Sequence, residues 1–265
     1  MGDRKRRRDA FFTEHPKCCF CGGETPATTE DHQPGRVFFK DRRWPEGFVF
    51  PACDGCNSRS REAEELVAIL IHGEAETDDR NKYQTLMESV NRRYPNLVRS
   101  MLPESTREIR EILKEGGVQR PVGTPYRDVP VIKLDSKFWE PHLTTFSRKL
   151  LLALHYQCFG TALPPSGAVW HFVHSNFDYM SGRFPEQLLD LAKNIATPAR
   201  QKAPMGDQFG VRWNVVPGMK TGLFVCQFHD RLAVSGITTE TPERFENAWK
   251  QTPLRPYDQV KVATV

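Results

Sequence analysis

No stretch of this sequence is apolar for long enough to cross a bilayer. The longest apolar runs, residues 66–71 and 150–154, fall far short of the roughly 20 residues a spanning helix needs. The opening "MGDRKRRRDAFF" has neither an apolar signal core nor a small-residue cleavage site, which predicts no export and a cytoplasmic location. Internal repeats and low-complexity segments are also missing, so nothing points to a solenoid or to disorder. A large excess of one charge is lacking too: 37 Lys and Arg face 33 Asp and Glu, for a formal charge of +4. The local density is another matter. Arg4, Lys5, Arg6, Arg7 and Arg8 are contiguous, and Arg36, Lys40, Arg42 and Arg43 cluster further on. Such clusters attract phosphate backbones by counterion release, without reading sequence; as charges on a solvated tail they would only aid solubility.

What is present is enough for a packed interior. Hydrophobic residues make up 38% of the 265, with 17 Phe and five Trp, so one large or two smaller domains can form. Helical periodicity is expected over residues 57–72, 78–93 and 105–116, the last with Ser105 as cap and Gly116 as stop. Residues 116–130 combine three glycines with three prolines and read as a linker or long connection. Beyond it, "VPVIKLD" reads as a short strand and residues 141–159 as a helix on which Phe146, Leu150, Leu154 and Cys158 recur every four positions. Strands are expected at "AVWHFV", "QFGVRWNVV", "TGLFVCQF" and "RLAVSGI", and helices near 185–194 and 242–249. An antiparallel sheet with helices on one face buries these patterns most simply. The expected class is therefore α+β, divided as 1–75, a helical connector and linker at 76–130, and an α+β domain at 131–265.

The cysteine count is odd, seven, which suits a reducing compartment better than a fully paired disulfide framework. Cys158 and Cys226 stand alone in apolar surroundings and are expected in the core. Cys18 and Cys21 form one C-x2-C pair, followed by Gly22 and Gly23; Cys53 and Cys56 form another after 31 intervening residues. Each two-residue spacer lets one tight turn aim two sulfurs at one ion, and four thiolates suit a closed, structural, tetrahedral zinc site. A dithiol redox centre needs only one such pair in a strand-to-helix context, which neither pair has. Cys19 is expected to point away from the metal. The insert between the pairs holds eight prolines or glycines and reads as an extended hairpin closed at its base. Inside it lies "TTEDHQPGR", where Asp31 and His32 stand side by side.

The segments "CCFCGG", "TTEDHQPGR" and "FPACDGCNSRS" resemble, in kind and order, the HNH endonuclease family, in particular bacterial and phage stand-alone members framed by two C-x2-C pairs. The resemblance covers about residues 15–72. It implies a zinc-bound, treble-clef-like ββα-metal domain that hydrolyses phosphodiester bonds in nucleic acid, DNA by family analogy. Residue by residue, it implies that His32 is the general base, that Asp31 and Asn57 hold a catalytic Mg²⁺ or Mn²⁺, and that Arg36 contacts substrate phosphate. A neutral imidazole can deprotonate water near pH 7, and a hard cation would stabilise the developing phosphate charge. One position departs from the pattern: Phe48 stands where the family's central Asn braces the loop. That departure keeps open a second reading, a zinc-dependent nucleic-acid-binding protein without hydrolysis. Glu62, Glu64 and Glu65 on the following helix could add a metal ligand, but read first as a solvated acidic face. His171 and His174 are expected on opposite faces of a strand.

Overall fold

A computed structural model describes residues 2–39, 44–72, 80–129 and 131–245. The basic run lies on helix α1 (Asp3–Glu14), which buries no residue. Arg8 ties this helix to the hairpin by donating to the Thr28 carbonyl at 2.9 Å. Lys40, Arg42 and Arg43 lie outside the described residues.

Strands β1 (Thr29–His32) and β2 (Val49–Ala52) pair antiparallel, Thr29 opposite Ala52 and His32 opposite Val49. Two strands this short are not stable alone; helix α2 (Asp54–His72) follows directly and packs on them. It begins three residues before the expected start, with Asp54 in the first turn, where a carboxylate complements the helix dipole. Leu66 through His72 are all buried, as expected of a helix with partners on more than one side.

Helices α3 (Arg80–Arg93), α4 (Leu97–Met101) and α5 (Thr106–Gly116) come next. Ser105 caps α5 by accepting from the Glu108 amide at 3.2 Å. The stop falls at Gly117, whose φ of +69° is the left-handed value that favours glycine. Gly116 serves packing instead, because a Cβ there would lie 2.4 Å from the Phe177 ring. The expected linker is packed: Val118, Val129 and Val131 are buried with Ile109, Leu113 and Phe177. "VPVIKLD" forms no strand among its described residues; its Lys133 amide bonds the Met101 carbonyl at 2.8 Å, at the end of a helix rather than along a strand edge.

Helix α6 (Ser136–Phe159) starts five residues before Pro141, capped by the Asp135 carboxylate and anchored by the buried Trp139. It ends at Gly160, φ +66°. The chain then alternates β3 (Ala168–Ser175), α7 (Asn176–Met180), α8 (Gln187–Leu191), β4 (Asn194–Ala196), β5 (Ala199–Arg200), β6 (Ala203–Pro204), β7 (Phe209–Val216), β8 (Thr221–Phe228) and β9 (Leu232–Thr239). Five strands form one antiparallel sheet in the order β3-β9-β8-β7-β4, while β5 and β6 make a separate short ribbon. The class is α+β with an antiparallel sheet. Helix α6 covers one face, and Gly236 permits its close approach, since a Cβ there would meet the Leu151 side chain at 2.4 Å. The other face is partly covered as well, by Phe184 and Ala192 on Val225 and Ala233. Near the C-terminus the described chain shows a short 3-10 turn, Pro242–Arg244, and the rest of the expected helix lies outside the described residues.

Cys226 is buried as expected, but Cys158 is exposed. It falls in the last turn of α6, whereas Phe146, Leu150 and Leu154 of the same four-residue stripe are buried. A single apolar core joins the hairpin segment to the sheet. Phe38 packs on Phe146 (ring centroids 4.9 Å) and Phe228 (5.6 Å), and Phe48 packs on Phe209 (5.6 Å). Each such pair contributes about 0.5–1.5 kcal/mol beyond its burial, so the hairpin is seated firmly on the sheet. Among the described residues no helix is long and apolar enough to cross a membrane.

Candidate functional site

The sulfurs of Cys18, Cys21, Cys53 and Cys56 all lie within 4.8 Å of one another. The first pair sits on a knuckle turned by Gly22 (φ +69°) and Gly23 (φ +77°) and closed by Cys18 N–H to Thr25 O at 2.9 Å. The second pair brackets the start of α2. Four soft ligands at this spacing fit one tetrahedral metal ion. Burial first, then the neighbouring sulfurs, hold the Cys56 thiol above its ordinary range, a penalty that a cation among the four would reverse. Cys19 is turned into the core; its amide bonds the Pro51 carbonyl at 2.9 Å, tying the knuckle to β2. Burial keeps its thiol well above the usual value, so it stays a thiol.

From this base, two faces of β1 diverge. Thr29 and Asp31 share one face, as alternate residues of a strand do, and α2 lies against it. Asn57, Ser60 and Glu64 are three and four residues apart and so align on one side of the helix. Asn57 donates its amide to Thr29 Oγ1 at 3.2 Å. Beside Asp31 the position is filled from a distant part of the chain: Lys149 of α6 places its Nζ 2.5 Å from Asp31 Oδ2, 2.8 Å from Glu64 Oε1 and 2.5 Å from Ser60 Oγ. The contact with Asp31 is an ion pair lying off the ideal hydrogen-bond direction. Lys149 and Asp31 are each 6% exposed. Burial raises both carboxyl groups above their ordinary values, with the Lys149 charge opposing it. Burial also pulls Lys149 down, but Glu64 and Asp31 outweigh it and hold the ammonium above its ordinary value.

Glu64 therefore is not part of a solvated acidic face. Glu62 and Glu65 do face outward, towards Arg93, with Tyr94 donating to Glu62 at 2.8 Å. The catalytic divalent ion expected on Asp31 and Asn57 does not fit these residues as placed: an ammonium occupies the cation position at Asp31, and Asn57 is engaged with Thr29.

His32 points to the other face. Its ring lies against Trp44 (centroids 4.4 Å), and its Nε2 accepts from the Arg36 guanidinium. The proton of the neutral ring then sits on Nδ1, which is buried without a partner. Arg36 and Arg200 lie 3.7 and 4.0 Å from the Trp44 ring centroid. Arg200 arrives on the β5–β6 ribbon, which docks on the hairpin loop through Glu46 N–H to Ala199 O at 3.0 Å. Burial, then Arg36, then Arg200 lower the His32 pKa to about 4. At neutral pH this half-buried imidazole is uncharged, flanked by two guanidinium groups.

Phe48 is 7% exposed and belongs to the core. His171 and His174 turn to different neighbours, Thr144 of α6 and Ser235 of β9. His15 and His72 find partners in Tyr156 (2.8 Å) and the Val37 carbonyl (2.9 Å). Sequence reasoning missed Lys149, Trp44 and Arg200. The only local signal was the 57–60–64 spacing that turns Glu64 inward. Comparison of the chain with protein-family models, with curated proteins and with solved structures finds no match.

Proposed function

We propose that the chain is an HNH-type endonuclease: a ββα-metal unit, framed by structural zinc at Cys18, Cys21, Cys53 and Cys56, that hydrolyses phosphodiester bonds in nucleic acid, with DNA as the substrate. The observation that carries this reading is the neutral His32 imidazole beside Arg36 and Arg200 on the four-cysteine-framed hairpin. Zinc supplies folding stability there and no chemistry. A phosphate approaching this face meets two guanidinium groups, whose planar forks suit its oxygens. Turning Arg36 from His32 Nε2 to the phosphate frees the nitrogen lone pair. The anion also offsets the positive field of the two arginines, so the imidazole becomes a stronger base as substrate binds. His32 then takes a proton from the attacking water, the bond from phosphorus to the leaving ester oxygen breaks as the new P–O bond forms, that oxygen takes a proton from solvent, and the arginines stabilise the charge that develops on the phosphate oxygens. The exposed basic helix α1 tracks the neighbouring backbone.

A specific observation favours a second reading, binding without hydrolysis: the Lys149 ammonium occupies the Asp31 carboxylate. Nicking of supercoiled plasmid in buffer with Mg²⁺ or Mn²⁺ separates the two. On the first reading the protein nicks, and His32→Ala lowers the rate by about 10²–10⁴-fold with zinc content and duplex binding unchanged. Salt-sensitive binding without cleavage selects the second, and failure to bind DNA refutes both.

A further inference from the structure

Outside the four-cysteine centre, the charged group around Lys149 is buried and joins three separate elements of the described chain: β1 through Asp31, α2 through Ser60 and Glu64, and α6 through Lys149 itself. An ammonium carries three N–H groups and no acceptor, and three side-chain oxygens lie round it at 2.5–2.8 Å. Magnesium demands six oxygens in near-ideal octahedral array and keeps several waters. A pocket this dry, with three protein oxygens, matches the ammonium and not the hydrated ion. Charge leads to the same conclusion. Two buried carboxylates repel unless a cation stands between them, and the chain provides that cation covalently, 118 residues beyond Asp31 and 85 beyond Glu64.

We infer that Lys149 is the built-in cation of the Asp31 site: its ammonium takes the place between β1 and α2 that a divalent metal ion would hold, so Asp31 binds no such ion in the native protein. The consequence for mechanism is that the positive charge available to a bound phosphate comes from Arg36 and Arg200, on the His32 face, while Lys149 acts as a positioning residue that fixes β1 against α2. This inference rests on the HNH-type reading for the significance of Asp31. Its test reads metal binding rather than cleavage, so the two fail separately.

The experiment is Mn²⁺ titration of the zinc-loaded protein, with free Mn²⁺ followed by electron paramagnetic resonance, on the wild type, Asp31→Asn, Lys149→Ala and the double variant Asp31→Asn/Lys149→Ala. The wild type and Asp31→Asn should bind Mn²⁺ alike, with no site that depends on Asp31. Lys149→Ala should gain one site, tighter by at least about a hundredfold, because a unit positive charge within a few ångström of the ion has been removed. The double variant should lose that site. Mn²⁺ uptake by the wild type that Asp31→Asn abolishes would overturn the inference, as would a folded Lys149→Ala protein that gains no site. If Lys149→Ala does not fold, the wild type and Asp31→Asn pair still decides the matter.

Discussion

Replacing Lys149 with Met keeps most of the apolar stem and removes the charge, which isolates the electrostatic part of the cluster. Asp31 and Glu64 would then be two carboxylates in a dry space, and the cheapest escape is for one to take a proton and donate it to the other. For Glu64, with an ordinary pKa of 4.5, holding a proton at pH 7 costs about 3.5 kcal/mol at 1.36 kcal/mol per pH unit. That agrees with the roughly 3–5 kcal/mol lost when one partner of a buried ion pair is removed. At pH 5 the same step costs only about 0.7 kcal/mol. In the variant the folded pKa lies above the unfolded one, so the folded state is favoured at low pH and loses stability as pH rises through that folded pKa. In the wild type the raised Lys149 pKa acts at the other end of the scale, its stabilisation being full below its ordinary value of 10.5 and lost above. At about 2–4 °C per kcal/mol for a chain of this size, Lys149→Met should lower the melting temperature by about 7–14 °C at pH 7 and by about 1–3 °C at pH 5. Differential scanning calorimetry of both proteins at the two pH values measures this. An equal loss at both would refute the reasoning, because lost packing does not depend on pH in this range.

Cys53→Ala removes one of the four thiolates, so metal content by plasma mass spectrometry should fall from one ion per chain to none. Hydrogen exchange should rise in β1 and β2, since structural zinc contributes on the order of 10–16 kcal/mol to folding in small zinc units; unchanged protection would refute a structural role. His32, with its pKa lowered to about 4, should show no imidazole titration by NMR between pH 5.5 and 8. Its contribution to stability is full above the unfolded value of 6.5 and lost as pH falls through about 4. Arg36→Ala should move the midpoint upward but short of 6.5, because burial is the larger cause; a wild-type midpoint near 6.5 would contradict the geometry described.

Local chemistry was legible in the sequence. Four cysteines at two-residue spacing converge because each pair is a local turn, set by Gly22 and Gly23 on one side and the start of α2 on the other. The four strands of eight residues were also readable, because alternation over that length defines a half-buried face. β4 to β6, of two or three residues, carry no periodicity to read. "VPVIKLD" has strand composition, but pairing requires a neighbouring edge, and Lys133 meets the end of α4 instead. Helix α6 begins before Pro141 because the Asp135 cap and the buried Trp139 outweigh the one backbone bond that the proline lacks.

What the sequence could not show is the effect of docking the sheet unit on the hairpin. Lys149 is one cation on a helix whose neighbours Leu150 and Leu151 face the core, and nothing within α6 says that its side chain reaches Asp31. Arg200 reaches Trp44 only because a two-residue ribbon packs under the loop. Phe48 belongs to the same interface. A bracing Asn there would be an unpaired polar group against Phe209, whereas Phe closes the aromatic core that holds the sheet in place. Phe48 and Lys149 thus belong to one interface, between the hairpin and the sheet unit. With the sheet docked, the hairpin is held by Phe48 and Lys149 together, and His32 is left as the group of the Asp-His pair that faces outward.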